Sequence, residues 1–535
     1  MKMMRMVALV LVLAVLLCGC SMTALGDAMD RFFTMLQTGM TVPFEEMEYV
    51  RPELGPFREL LEETMAEIPD AKDADVLMES VFTLYEFYYD YTTNYYLADI
   101  RYCQDVTDIY WSEEYGWCME NSSEVSAGMD QLLYALADCP LREELEVEEY
   151  FGEDFFDAYE GDSLWDETFT ALMDEENALV DQYYELNALA GSDVYSEAYY
   201  QGYGLQIEEV FAQLIQVRQE IAAYAGYDSY PAFAYEFYFY RDYSPEQALE
   251  YMDQIRQELV PLYLELDSSV WAPYYESCSE KETFSYVQEC AEAVGGVAKD
   301  AFALMETAGL YDITYSDNKY ASSFEVYLMS YYAPFVFMCP NGSSDDKLTF
   351  THEFGHFCND YAAGGTVVGV DVAEVFSQGL EYLSLCYCED TQALTRMKLA
   401  DSLCTFVEQS AYASFELQAY MLEDVTVENV RGVFAQACED YGLSQWGVDS
   451  RSYTVVPHFF ISPMYVFSYV VSNDVAMQIY QQELEQEGAG LKLWEDGLYS
   501  MQTGLLGFVE ETGLASPFEE GRVAQLKATF QERLK

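Results

Sequence analysis

The sequence predicts a mainly α protein with one small β element that leads into a helix equipped to bind a metal. Three observations carry this reading. Across most of the 535 residues, apolar side chains recur at three- and four-residue intervals, the period of amphipathic helices. One short region, 324-FEVYLMSYYAPFVFMCPNG-342, instead holds apolar, aromatic and β-branched runs closed by Asn341-Gly342, as a strand pair does. Directly after it stands 350-FTHEFGHFCND-360, which places two of the chain's three histidines four residues apart.

Residues 1–20 read as an export signal. Lys2 and Arg5 precede an apolar run, Val7 to Leu17, that is too short to span a bilayer. The run ends in Leu17-Cys18-Gly19-Cys20, which resembles a bacterial lipobox with Cys20 as the lipidated residue. The expectation is an exported protein, anchored by lipid to the outer face of a bacterial cytoplasmic membrane. Residues 21–45 read as a tether and 46–195 as an N-terminal helical region, with 54-LGPFRELLEETMAEI-68 and 76-VLMESVFTLYEFYYDY-91 as its clearest amphipathic stretches. The acid-dense segment 140–162 reads as a solvated loop or exposed helix. Residues 196–535 are expected to form the catalytic region: helical to about 310, then the strand pair with Ala333-Pro334 between its runs, then helical to the end.

Composition narrows the partners. A formal net charge of −71 excludes a general affinity for nucleic acid or anionic lipid, which needs clustered Lys and Arg. It reads as the solubilising surface of an exported protein, with attraction of cationic ligands as the functional counterpart. The cysteines after Cys20 are scattered and odd in number, which is no disulfide scaffold. Cys386 and Cys388 lie in the apolar stretch LSLCYC and read as buried thiols, not as a soft metal pair.

On a helix, His352 and His356 share one face and can aim two imidazole nitrogens at one point. Glu353, about 100° around the helix from His352, reaches a water at that point without ligating the metal. This is the HExxH arrangement of two ligands and a general base, and zinc is the expected ion. A catalytic zinc needs a third protein ligand. The second helix candidate, 371-DVAEVFSQGLEYL-383, offers Glu374 and Glu381 on one face, and spacing alone does not choose between them. Asp371, one turn before Glu374, could orient a histidine. The third histidine, His458, stands with Tyr465 and Tyr469 in 456-VPHFFISPMYVFSYVVS-472, and these three could donate to an oxyanion or be core residues.

At these residues the chain resembles the oligoendopeptidase F branch of the thimet oligopeptidase family of zinc peptidases. The run 334-PFVFMCPNGSSDDKLTFTHEFGH-356 resembles the family's strand and turn leading into its zinc helix. The run 372-VAEVFSQGLE-381 resembles its third-ligand segment, and 457-PHFFISPMYVFSY-469 its catalytic His/Tyr segment. Upstream, 211-FAQLIQVRQEIAAYAGYDSYPAFAY-235 and 242-DYSPEQA-248 are similar to a family segment far from the metal. The resemblance implies Glu374 as the third ligand, Glu381 as a supporting carboxylate, and His458 with one of the two tyrosines at the oxyanion. The sequence departs from the family at Asn359-Asp360, where another His is frequent. It departs again at Ile461-Ser462-Pro463, where glycines are usual, and 319-KYASSFEVYL-328 lacks the usual glycine. Which tyrosine touches the oxyanion stays open.

The resemblance further implies a helical, two-lobed body around a deep channel with zinc on its floor, and strand 334–339 as an edge that pairs with substrate backbone. The expected protein is a monomeric zinc endopeptidase acting on short unstructured peptides, with Glu353 as general base and acid. A different class, an exported peptide-binding lipoprotein without turnover, also fits export and acidity, though it has no need of Glu353. A surface proteinase for folded substrates would share the chemistry but need an open cleft.

Overall fold

The computed structural model describes residues 41–534 apart from 148–149, 153–154, 160, 162, 192–193, 366–367, 390 and 501. The expected signal, Cys20 and most of the expected tether lie outside the described residues. The chain forms two compact units that are not consecutive in sequence. One takes the described residues through Asp166 together with Ala303–Cys339; the other takes Glu167–Phe302 and the chain from Pro340 onward.

The first unit packs α1 (Leu54–Glu67), α2 (Ala74–Gln104) and α3 (Ile109–Ala137). Each long helix begins where an aspartate can accept from its free amides: Asp73 from Val76 N–H, and Asp108 from Tyr110 and Trp111 N–H. The apolar stripes meet in one core through Leu54, Phe57, Leu77, Val81, Leu84, Val125, Leu132 and Leu136. Leu145 and Phe156, from the acidic segment expected to be solvated, also reach this core, so that segment is anchored.

The β element has three strands, β1 (Tyr311–Asp312), β2 (Ser323–Leu328) and β3 (Ala333–Met338), in the order β1-β3-β2. β2 and β3 are antiparallel from Ser323↔Met338 to Leu328↔Ala333, and β1 runs parallel to β3 at Tyr311↔Val336 and Asp312↔Phe337. The turn falls at 329–332, where Tyr332 is left-handed, so Ala333-Pro334 opens β3 and does not form the bend. β3 was expected to be an edge open to substrate; it is the central strand. All six of its residues are buried, which explains its unbroken apolar run. Lys319 closes the sheet end by donating to Asp312 Oδ1 at 2.8 Å and to the Met338 carbonyl at 2.7 Å.

The second unit is helical. Its principal helices are α4 (Glu167–Ala190), α5 (Tyr203–Tyr224), α6 (Pro245–Glu258), α7 (Glu280–Val294), α8 (Asp346–Ala363), α9 (Val370–Tyr387), α10 (Gln392–Cys404), α11 (Ser410–Ala419), α12 (Val466–Glu485) and α13 (Ala489–Gly497). Capping boxes at Ser244/Gln247 and Ser279/Glu282 start α6 and α7. α9 is the centre of the unit: it is buried almost all round and packs on α8, α12 and α13. Glycine permits the closest of these contacts. A Cβ on Gly355 would lie 2.5 Å from Ser377 Cα and 2.8 Å from the Phe376 carbonyl oxygen, so only glycine lets α8 and α9 approach this closely. Trp494 of α13 fixes α9 from another side by donating Nε1–H to the Phe376 carbonyl at 2.9 Å. Cys388 is buried at the end of α9, as expected, but Cys386 is exposed, because the two sit on different faces of the helix end. Among the described residues no helix is long and apolar enough to cross a membrane.

Candidate metal centre

The tight α8–α9 contact sets the site. His352 and His356 stand one turn apart on α8, and Glu374 projects from the first turns of α9, which Gly355 draws close. Their ligand atoms all lie within 4.8 Å of one another. Glu374 Oε2 is 3.4 Å from His352 Nε2 and 3.8 Å from His356 Nε2. Ligands ~2.0–2.1 Å from one tetrahedral ion are separated by roughly 3.3 Å, so the three atoms already approximate one face of a zinc-sized coordination shell.

Hydrogen bonds leave the right atoms pointing inward. Glu381 Oε1 lies 3.0 Å from His352 Nδ1; the carboxylate can only accept, so Nδ1 carries the proton and Nε2 keeps its lone pair for the cluster. Buried Lys398 of α10 holds Glu381 from behind, with Nζ 2.6 Å from Oε2. Glu374 accepts from Tyr465 O–H through Oε1 at 2.9 Å and from Ser377 O–H through Oε2 at 3.0 Å. The two oxygens of Glu374 thus have distinct surroundings, and Oε2 faces the histidines.

The electrostatics match a cation site. Burial alone would lower His352, but the Glu381 hydrogen bond and the charges of Glu374 and Glu381 push its pKa up to about 9. That negative field, which favours a proton on His352, is the field a divalent cation would meet. Among the described residues His356 has no such hydrogen bond, and burial takes it down to about 4, so its imidazole is neutral and can ligate. Burial pushes Glu353 up to about 7; His352 opposes the shift, and Glu374 and Glu381 add to it. A carboxyl poised there can take a proton and return it near neutral pH.

His458, Tyr465 and Tyr469 come together beside the cluster: ring centroids are 5.6 Å apart for His458–Tyr465, 6.0 Å for His458–Tyr469 and 5.2 Å for the tyrosine pair. Burial raises both phenols, with Glu374 adding, so both keep their protons and can donate. Burial lowers His458, with Glu374 opposing.

One expected role falls elsewhere. Asp371 does not sit beside a histidine; it accepts from Tyr243 O–H at 2.6 Å and pairs with Arg241 at 3.3 Å. The reason is position: at the first turn of α9 it faces the segment before α6, while the ligand face begins with Glu374. Glu381 alone of the two supporting candidates orients a histidine. Lys398, Arg241 and Glu416 escaped the sequence reading. With 24 Lys and Arg in the whole chain, a base set among apolar or aromatic neighbours, as in 238-YFYRDY-243, is the signal that could have found two of them.

Comparisons with known proteins match one domain of the sequence and the overall fold. Residues 44–163 match the peptidase M3 N-terminal domain. No curated protein matches the sequence. Among solved structures, PZ peptidase A with an inhibitor superposes with a TM-score of 0.81 at 18% identity, covering 92% of this chain and 99% of that one. An oligoendopeptidase F structure from Bacillus anthracis str. Ames gives 0.77 at 21% identity, with 92% and 98% covered. Oligoendopeptidase-F from Enterococcus faecium gives 0.58 at 15%, with 90% and 96% covered. At these identities the superpositions speak to fold. The chain thus carries a peptidase M3 N-terminal domain over residues 44–163 and has the fold of these peptidase structures, and within that fold His352, His356 and Glu374 form a cluster able to hold a metal ion.

Proposed function

We propose that this chain is a metallopeptidase of the oligoendopeptidase F type, a zinc endopeptidase that hydrolyses short, unstructured oligopeptides. The observation that carries the proposal is the convergence of His352 Nε2, His356 Nε2 and Glu374 Oε2 beside the buried carboxyl of Glu353. Two imidazoles and one carboxylate are the donor set of a catalytic zinc with an open fourth position. When bound there, zinc would supply Lewis acidity toward the attacking water and the scissile carbonyl.

The chain's own residues account for the rest. Glu353 accepts the proton of the attacking water and delivers it to the leaving amine, a task suited to a carboxyl pushed up to about 7. His458 and a neighbouring tyrosine donate to the oxygen that gains charge as the carbonyl is attacked. Tyr465 is the phenol whose O–H reaches Glu374 Oε1 at 2.9 Å, and it would turn from that carboxylate to donate to the oxyanion. Glu381 and Lys398 hold His352 in the tautomer that presents Nε2. The leader ending in Cys20 supports an exported, lipid-anchored location, and the strongly acidic composition argues against a nucleic-acid partner; the protein acts on its peptides as a monomer.

The test incubates the protein and its Glu353→Gln variant with a mixed library of peptides about 6–20 residues long and reads products by mass spectrometry. Internal cuts by the wild type are expected, with a loss of about 10²–10⁴-fold in the variant while bound zinc, measured by elemental analysis, is unchanged. A variant that cuts at the wild-type rate would remove Glu353 as the base. Zinc-loaded protein that cuts nothing in either form would favour a peptide-binding lipoprotein.

A further inference from the structure

The segment that presents His458 and Tyr465 is held in an unusual way. Between them the chain reads Phe459-Phe460-Ile461-Ser462-Pro463-Met464, and Met464 takes a left-handed conformation, φ +72°, that residues with a Cβ rarely adopt. No glycine eases the bend. Three buried ionisable side chains from separate parts of the second unit grip the backbone instead. Arg218 of α5 donates Nη1–H to the Phe459 carbonyl at 3.0 Å and Nη2–H to the Phe460 carbonyl. Glu416 of α11 accepts the Met464 N–H at 2.9 Å. Arg241, just before α6, donates Nη2–H to the Met464 carbonyl at 3.0 Å and to Ser468 Oγ at 2.9 Å.

Both sides of the strained Met464 residue are therefore tied, its amide to a carboxyl oxygen and its carbonyl to a guanidinium. Arg218 and the side chain of Arg241 are wholly buried, as is Glu416. Arg218 is balanced by Glu176 at 2.6 Å, and Arg241 by Asp371, with its guanidinium 4.2 Å from the Tyr235 ring centroid and 4.6 Å from that of Phe239. Arg241 itself follows a second left-handed residue, Tyr240, at φ +49°. Asp371 stands three residues before Glu374 on α9, so Arg241 links the ligand helix to the segment carrying Tyr465. Burying guanidinium groups is a poor way to gain stability, because apolar packing of equal volume serves as well. A chain with 24 basic residues sets two of them against this one segment.

We infer that Arg218, Arg241 and Glu416 are positioning residues that fix backbone 459–464 and so set the imidazole of His458 and the hydroxyl of Tyr465 at the metal cluster. The inference deepens the oxyanion role proposed for those two residues and rests on it. The clamp substitutes for the glycines that would let this turn form without strain, and it makes the turn rigid.

The test uses Glu416→Leu, which removes the acceptor, and Glu416→Gln, which keeps one. Amide exchange of residues 459–468 is followed by mass spectrometry, and kcat and KM are measured on one fluorogenic peptide, each variant also in a Tyr465→Phe background. Glu416→Leu is expected to speed exchange of the segment and to lower kcat about 10–100-fold with KM little changed. The same change should lower kcat clearly less when Tyr465 is already Phe, because only the His458 imidazole is then left to misplace. Glu416→Gln is expected to restore both exchange and kcat. Should Glu416→Leu abolish folding, Met464→Gly replaces it in the same cycle: it relaxes the left-handed turn and is expected to speed exchange and to lower kcat more when Tyr465 is present than when it is Phe. Unchanged exchange overturns the clamp. Faster exchange with an undiminished kcat loss in the Tyr465→Phe background overturns the positioning of Tyr465. A Tyr465→Phe variant at the wild-type rate removes the oxyanion role of that tyrosine, and exchange alone then judges the clamp.

Discussion

Glu416 gives the sharpest single-residue consequence. Burial raises its carboxyl to about 8, against the opposing Met464 amide, Arg218 and Arg241. The folded chain therefore holds this proton more tightly than the unfolded chain, whose value is the ordinary 4.5. The contribution to stability is complete below about pH 4.5 and is lost as pH rises from there through about 8, an effect on the order of 5 kcal/mol. A thermal melt series from pH 5 to pH 9 should show the Glu416→Gln variant losing less stability than wild type across that window; parallel curves would mean the carboxyl is ionised throughout. Of the site residues, His352, Glu353 and His356 were legible because three histidines in 535 residues make a pair at helical spacing stand out. Glu374 was legible through family resemblance, since spacing left Glu381 equal. Glu416, Arg241 and Lys398 were not, because their meaning lies in partners far along the chain: Arg241 meets Asp371 across 130 residues, and no local period encodes that.

At the scale of elements, the packing of α8 on α9 decides whether a metal site exists at all. Gly355 lies within the HExxH turn itself, and its missing Cβ leaves room for Ser377 and Phe376 of α9. Gly355→Ala keeps every ligand and improves helix propensity, yet it should force the helices apart and carry Glu374 away from the histidines. The expected outcome is a loss of about 1–3 kcal/mol in stability and about tenfold weaker zinc binding, read by melting and by competition titration with a chelating dye. Full zinc affinity in the variant would show that α9 can slide without losing Glu374. The helices were legible from their apolar period, and β2 and β3 from their aromatic and β-branched runs. β1 was not, because two residues carry no period, and without β1 the central β3 reads as an edge. The turn was misplaced for a related reason: Pro334 reads as a breaker, yet it sits at the end of β3 that β1 does not reach, so it is paired on the β2 side only.

For the whole molecule the dominant physical fact is charge: 95 acidic side chains against 24 basic ones, for a net −71. Several of the basic residues are buried in ion pairs, among them Arg218, Arg241, Lys319, Lys398 and Arg522, so they neutralise little at the surface. The acidic excess repels itself in the compact state and attracts cationic ligands toward it. Both effects act through solvent and are screened, since the Debye length falls from about 30 Å at 0.01 M salt to about 8 Å at 0.15 M. Raising sodium chloride over that range should therefore raise the melting temperature. Over the same range it should lower kcat/KM for a Lys-rich peptide relative to a Glu-rich peptide of equal length, by up to about tenfold, with the change in association and not in kcat. The two readouts separate the field from the site. If the melting temperature rises while the ratio between the peptides stays fixed, charge governs only the compactness of the fold, and any preference among peptides comes from contacts around His352, His356 and Glu374.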